Sequence, residues 1–128
     1  MAFQEGVLLR NAKLNAIPTN LGASATLKIF SGAEPANCAA ADPSGLLATI
    51  TLPASPFGAA SAGAIAMAGT WSTTGSATGT AASFRVYDSS GNCAMQGNVT
   101  TDLVLNNTSI TSGQAVQVTQ YTITTGNA

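Results

Sequence analysis

Asp88, Ser90 and Asn92 fall at alternate positions within FRVYDSSGNCAMQGNV, residues 84–99. Oxygen-bearing side chains at that spacing open a calcium-binding loop. The rest of such a loop is missing. Its glycine is absent, and the place of its distant acidic ligand falls on Val99. The plainer reading of the same residues is a polar turn, because Asp, Ser and Asn bond readily to their own backbone. The other acids, Glu5, Glu34, Asp42 and Asp102, are scattered through expected loops. Glycoside hydrolysis needs two carboxylates facing each other across a cleft, and no spacing here pairs them. The chain contains no histidine. A serine or cysteine nucleophile would therefore lack its usual base, and no G-x-S-x-G elbow occurs. Cys38 and Cys93 cannot fill a usual zinc shell without histidine. The expectation is a protein that is not an enzyme, with no catalytic residue, metal ligand or cofactor.

Trp71, in GTWSTTG, has two readings. It can stack on a sugar from a polar strand, or it can anchor the core with its N–H on a backbone carbonyl. Tyr87 and Tyr121 are the further rings that a glycan platform would use. The two cysteines could pair, but their spacing gives no sign that they meet. The start, MAFQEGVLLRNAKL, does not read as a signal peptide. The expectation is therefore a cytoplasmically made chain with two reduced thiols.

The 128 residues suit one domain with a real core. Apolar residues make up 45%, too many for a disordered chain. Charged residues make up only 7%, against about 25% in an average domain. Thr, Ser, Ala, Asn and Gly take their place. A polar, uncharged surface with net charge −1 does little to keep copies apart. Four basic residues, Arg10, Lys13, Lys28 and Arg85, are too few for a nucleic-acid interface. No apolar run approaches the ~18 residues of a membrane helix. Neither nucleic acid nor membrane is an expected partner.

The elements that must position these residues are mostly strands. VLLRNAKLNAI, residues 7–17, reads as a helix, with Leu8, Ala12 and Ala16 on one stripe and Leu14, Ile17 and Leu21 on the next. Pro18 is expected to end it. This piece either caps the domain or docks on a partner. From residue 23 the period changes to two. Strands are expected over 25–30, 46–52, 62–71, 80–88, 93–99, 102–107 and 114–124, with turn signals between them. In residues 84–87, Phe84 and Val86 are assigned to the core, and Arg85 and Tyr87 to the opposite, outward face. Residues 88–92 are the loop of a hairpin. In the last strand Val116 and Val118 share one parity, and Tyr121 and Ile123 the other. That switch implies a bulge, a bend or burial on both faces. The small-residue segment 70–82 would let another chain approach closely or add at a strand edge. The resulting fold class is mainly β: an antiparallel β-sandwich, jelly-roll-like, with one short N-terminal helix. Residues 1–22 form an arm and residues 23–128 the sandwich.

RNAKLNAI, GAEPANCAAADPSG, FRVYDSSGNCAMQG and LNNTSITSGQ, in this order along the chain, resemble segments of small virion structural proteins of tailed bacteriophages. Within that group the chain is similar to capsid decoration (cement) proteins. The resemblance implies a jelly-roll or related sandwich on the outer surface of the shell, with no catalytic residues. It implies the major capsid protein as partner and self-association as a dimer or trimer. The arm would then clamp a neighbour, and Leu8, Arg10, Lys13, Leu14 and Ile17 are its candidate contact residues. The alternative function is a tail or fibre module that binds host-surface glycan.

Overall fold

A computed structural model describes residues 4–124. One helix, α1 (Val7–Leu21), precedes ten strands. These are β1 (Thr26–Phe30), β2 (Leu46–Thr51), β3 (Ala64–Ala66), β4 (Ser72–Thr74), β5 (Gly79–Thr80), β6 (Ser83–Tyr87), β7 (Cys93–Asn98), β8 (Leu103–Leu105), β9 (Ser109–Ile110) and β10 (Ala115–Thr124). The chain is mainly β, and its strand pairs are antiparallel. One sheet has the order β2-β1-β6-β7. A second is built on β10, which pairs with β3, β4 and β8, and β5 pairs with β9. The arrangement is sandwich-like. These pairings do not establish a jelly-roll connectivity.

The core lies between the two main sheets. Leu27, Ile29, Phe84 and Val86 come from the first, and Val116, Val118 and Tyr121 from β10; all are buried. Rings join the layers. Phe84 meets Tyr121 edge-on at 5.4 Å between centroids. Trp71 lies 5.9 Å from Tyr121, and Phe57 stands nearly perpendicular to Trp71 at 5.3 Å. Edge-to-face pairs of this kind add about 0.5–1.5 kcal/mol each beyond area burial. Trp71 is the core anchor of its two readings: it is 0% exposed, and its Nε1–H donates to the Ala68 carbonyl at 3.1 Å.

The parity switch in β10 is a bulge. The register against β8 shifts between Val118 and Gln120. The extra residue turns Tyr121 to the face that Val116 and Val118 already occupy, so all three are buried. The 88–92 hairpin forms where expected, with Gly91 at φ +85° in its loop. The long segments 62–71 and 80–88 are broken more than their alternation implies. Ala62 and Gly63 both take positive φ before β3, and Gly69 does so after it. A short β5 precedes β6.

The helix does not stop at Pro18. It runs to Leu21, with Pro18 inside it. Proline removes one backbone donor, so the Leu14 carbonyl one turn earlier loses its helical partner. In return Leu21 enters the core at 1% exposure. Gly22, at φ +79°, closes the turn by donating its N–H to the Pro18 carbonyl at 3.3 Å. A buried leucine contributes about 1.5–3 kcal/mol, which offsets the missing bond.

The helix also docks on its own body. Leu14 is 2% exposed and belongs to the core. Asn11 Oδ1 accepts the Gly63 N–H, and Asn15 Oδ1 accepts the Ala60 N–H, both at 3.0 Å. At the far end the Leu21 carbonyl accepts the Ser89 N–H at 2.8 Å. The helix is therefore packed on its own domain through Leu14 and Leu21, while Val7, Leu8 and Leu9 stay exposed.

Candidate interaction surface and the buried polar cluster

The five candidate contact residues separate on the helix. Leu8 is 82% exposed, and with Val7 (44%) and Leu9 (53%) it makes an apolar first turn that faces solvent. Lys13 is exposed and pairs with Glu5, Nζ lying 2.6 Å from Oε1. Arg10 is half-buried and lies over Gly63, where an added Cβ would meet the guanidinium at 2.7 Å. Ile17 is half-buried against the core and, with Lys13 and Leu21, lines an open groove of about 230 Å³ beside Ala94 and Met95. Leu14 cannot touch a partner. Its place on the stripe with Ile17 and Leu21 is the stripe that faces inward. The exposed set is therefore Val7, Leu8, Leu9 and Lys13. Val7 and Leu9 were missed because the stripe pattern ranks positions by period, whereas exposure here follows from where the first turn overhangs the body.

The Asp88 carboxylate serves its own turn. Oδ1 accepts the N–H groups of Ser90 and Asn92, each at 2.9 Å. These bonds, that from Asn92 foremost, lower the Asp88 pKa. Asp102 accepts the Asn98 N–H at 2.8 Å, and Glu5 holds Lys13. None of these carboxylates faces another across a cleft. Among the described residues no cluster of three or more His, Cys, Asp or Glu side chains could hold a metal, and no helix is long and apolar enough to cross a membrane.

The face of the first sheet away from the core holds what the sequence reading misplaced. Arg85 was assigned outward, yet it is 2% exposed, and Tyr87 beside it is 8% exposed. All five residues of β6 are buried. The reason is the loop over residues 31–45, which folds back across that face. Arg85 Nη1 donates to Asp42 Oδ1 at 3.0 Å, Nη2 to the Asn37 carbonyl at 3.1 Å, and Nε to Gln96 Oε1 at 3.1 Å. The Tyr87 hydroxyl donates to the same Asp42 oxygen. Gln96 Nε2 donates to the Pro35 carbonyl at 2.7 Å. Lys28, paired in register with Arg85, sits 5.0 Å from the centre of the Tyr87 ring.

The electrostatics follow from this packing. The Tyr87 hydroxyl, with help from Arg85 and against partial burial, holds Asp42 below its ordinary value. Burial and the bond to Asp42 push Tyr87 up to about 12. Burial, and then the neighbouring Cys38 thiol, push Cys93 up to about 12. Each nitrogen of the Arg85 guanidinium, the Tyr87 hydroxyl and Gln96 Nε2 has an acceptor within the cluster, so the groups hold one another. Its chemistry is structural: it fastens the loop to the sheet. The clue in the sequence is an arginine between Phe84 and Val86, in a chain with only four basic residues, since a buried guanidinium requires a partner carboxylate.

A glycan platform needs a ring face open to solvent. Trp71 (0%), Tyr121 (6%) and Tyr87 (8%) are all buried, as are Phe30, Phe57 and Phe84. Among the described residues no aromatic ring is exposed. No protein-family model, curated protein or solved structure matches the chain.

Proposed function

We propose that this protein is a non-enzymatic structural subunit of a tailed-bacteriophage virion, a decoration (cement) protein that binds the outer shell at capsomer junctions. The observation that carries this reading is the apolar turn Val7–Leu9, held out to solvent by a helix that is itself fixed to the core. A rigid apolar projection loses little entropy when it is covered, which favours binding. The surrounding surface adds polar contact with few charges to desolvate. The motif resemblance supplies the partner, the major capsid protein. A subunit that binds only the assembled shell stabilises it by mass action. Symmetric positions on a shell admit a dimer or a trimer of the chain.

The test uses shells assembled from the major capsid protein without this subunit. Intact protein is expected to co-sediment with them and to raise their melting temperature. A Leu8→Glu, Leu9→Glu variant is expected to keep its own circular dichroism and melting temperature while losing affinity by about 100-fold, the equivalent of burying two leucines in part. Failure of the intact protein to bind shells would overturn the decoration reading. Binding to host-surface glycan in its place would support a tail module. Full binding by the double variant would leave the decoration role standing and remove α1 from the contact.

A further inference from the structure

Cys38 and Cys93 are about 55 positions apart, a loop long enough for a cross-link to constrain the unfolded chain strongly. The fold brings them to the same place. Cys93 opens β7 and pairs in register with Tyr87. Residues on both sides of Cys38 are bonded to residues on both sides of Cys93. Pro35 receives Gln96, Asn37 receives Arg85, and Asp42 receives both Arg85 and Tyr87. Asn37 Oδ1 also accepts the N–H groups of Ala39 and Ala40, at 3.0 and 3.1 Å, so the backbone that carries Cys38 is itself folded tightly. Both side chains are half-buried thiols. The Cys93 thiol also reaches the Met95 carbonyl of its own strand, at 3.6 Å, and the neighbouring Cys38 thiol helps to raise it above its ordinary value.

We propose that Cys38 and Cys93 form a dithiol pair that closes to an intramolecular disulfide when the protein meets a small disulfide oxidant, fastening the 31–45 loop covalently to β7. The exchange balances without any further reactant. One protein thiolate attacks a sulfur of the oxidant, breaking its S–S bond and forming a mixed disulfide. One small thiolate leaves and takes up the proton that the first cysteine gave. The second protein sulfur attacks the mixed disulfide, forms the Cys38–Cys93 bond and releases the second small thiol with the second proton. The protein loses two protons and two electrons, and the oxidant takes them up to become two thiols. In the reduced form the loop is held by hydrogen bonds and one ion pair. In the oxidised form it is held by these and a covalent bond. The proposal stands apart from the virion reading. A chain that passes from reducing to oxidising surroundings would gain stability after it had folded.

The experiment treats the reduced full-length protein with oxidised glutathione and follows it by intact mass, peptide mapping and thermal melting. The expected product is a monomer lacking two hydrogens, with Cys38 and Cys93 in one cross-linked peptide, and with a melting temperature about 10 °C above the reduced form. Reductant is expected to restore the lower value. Cys38→Ser and Cys93→Ser are each expected to stop at a mixed disulfide with one glutathione. Two glutathiones on the native chain, or disulfide-linked dimers as the main product, would overturn the pair. Closure with no rise in melting temperature would overturn the fastening of the loop.

Discussion

Replacing Arg85 with alanine removes three bonds from a site that excludes water. The side chain is 2% exposed, and its donors reach Asp42, Asn37 and Gln96 at 3.0–3.1 Å. Bonds to a charged donor contribute about 1.5–3 kcal/mol each when lost singly. They do not add here. The Asp42 side chain is 46% exposed, so water recovers part of its solvation, and removing Arg85 also removes the cost of burying a guanidinium. The Asn37 carbonyl and Gln96 Oε1 lose that donor, and the arginine stem leaves a gap. The net loss is about 3 kcal/mol, comparable to the 3–5 kcal/mol expected of Phe84→Ala on the core face. Arg85→Met keeps the stem and should cost about 1 kcal/mol less. Urea unfolding at neutral pH measures all three. Amide exchange should also show residues 31–45 opening in Arg85→Ala well before the β-core. A cost below about 0.5 kcal/mol for Arg85→Ala, the range of an ordinary surface change, would refute the covering of this face.

Stability should fall from about pH 9 to about pH 12. Tyr87 is raised from 10.0 to about 12 and Cys93 from 9.0 to about 12, so each neutral form stabilises the fold fully below its unfolded value, and the contribution is lost as pH rises through the folded one; urea midpoints measured across that range should track phenolate absorbance, and a flat profile would contradict the packing. Asp42 is shifted the other way, so its contribution is present above 3.8 and lost as pH falls through its lowered value. Since the Tyr87 hydroxyl is the largest cause, Tyr87→Phe should raise the Asp42 midpoint in a carboxylate titration by nuclear magnetic resonance. Gly97→Ala should cost about 2 kcal/mol by overpacking, because the new methyl would lie 2.8 Å from both the Phe84 ring and the Asp102 carboxylate; an unchanged urea midpoint would mean that the ring has room to move.

The β-rich class, the 88–92 hairpin and the β10 bulge were legible because each leaves a period-two trace within one short window. Val116, Val118, Tyr121 and Ile123 change parity at the place where the register slips. The passage of α1 through Pro18 was not legible, because it depends on a core site for Leu21 that other segments build. The burial of Arg85 and Tyr87 was hidden for the same reason. Alternation reports that a residue lies on the second face of a sheet, and says nothing of whether a distant loop covers that face. The meeting of Cys38 with Cys93 depends on that loop too. Of the candidate contact residues, Leu8 and Lys13 stay exposed, whereas Leu14 is drawn inward with Leu21.

The placement of the charges links the fold to the proposed role. Arg85 and Asp42 are joined beneath and beside the loop, Glu5 is spent on Lys13, and Lys28 lies against the Tyr87 ring. Asp88 and Asp102 are engaged by backbone N–H groups of their own turns. In a chain with only 7% charged residues, these engagements leave a surface of Thr, Ser, Asn and Ala with little net field. Such a surface gives weak long-range repulsion between copies and a small desolvation cost when it is covered. Both properties suit a subunit that works in contact with neighbours at high local concentration. With so little charge to set orientation, register on the proposed partner would come from shape, and Leu8 on a docked helix is the most exposed large apolar side chain among the described residues.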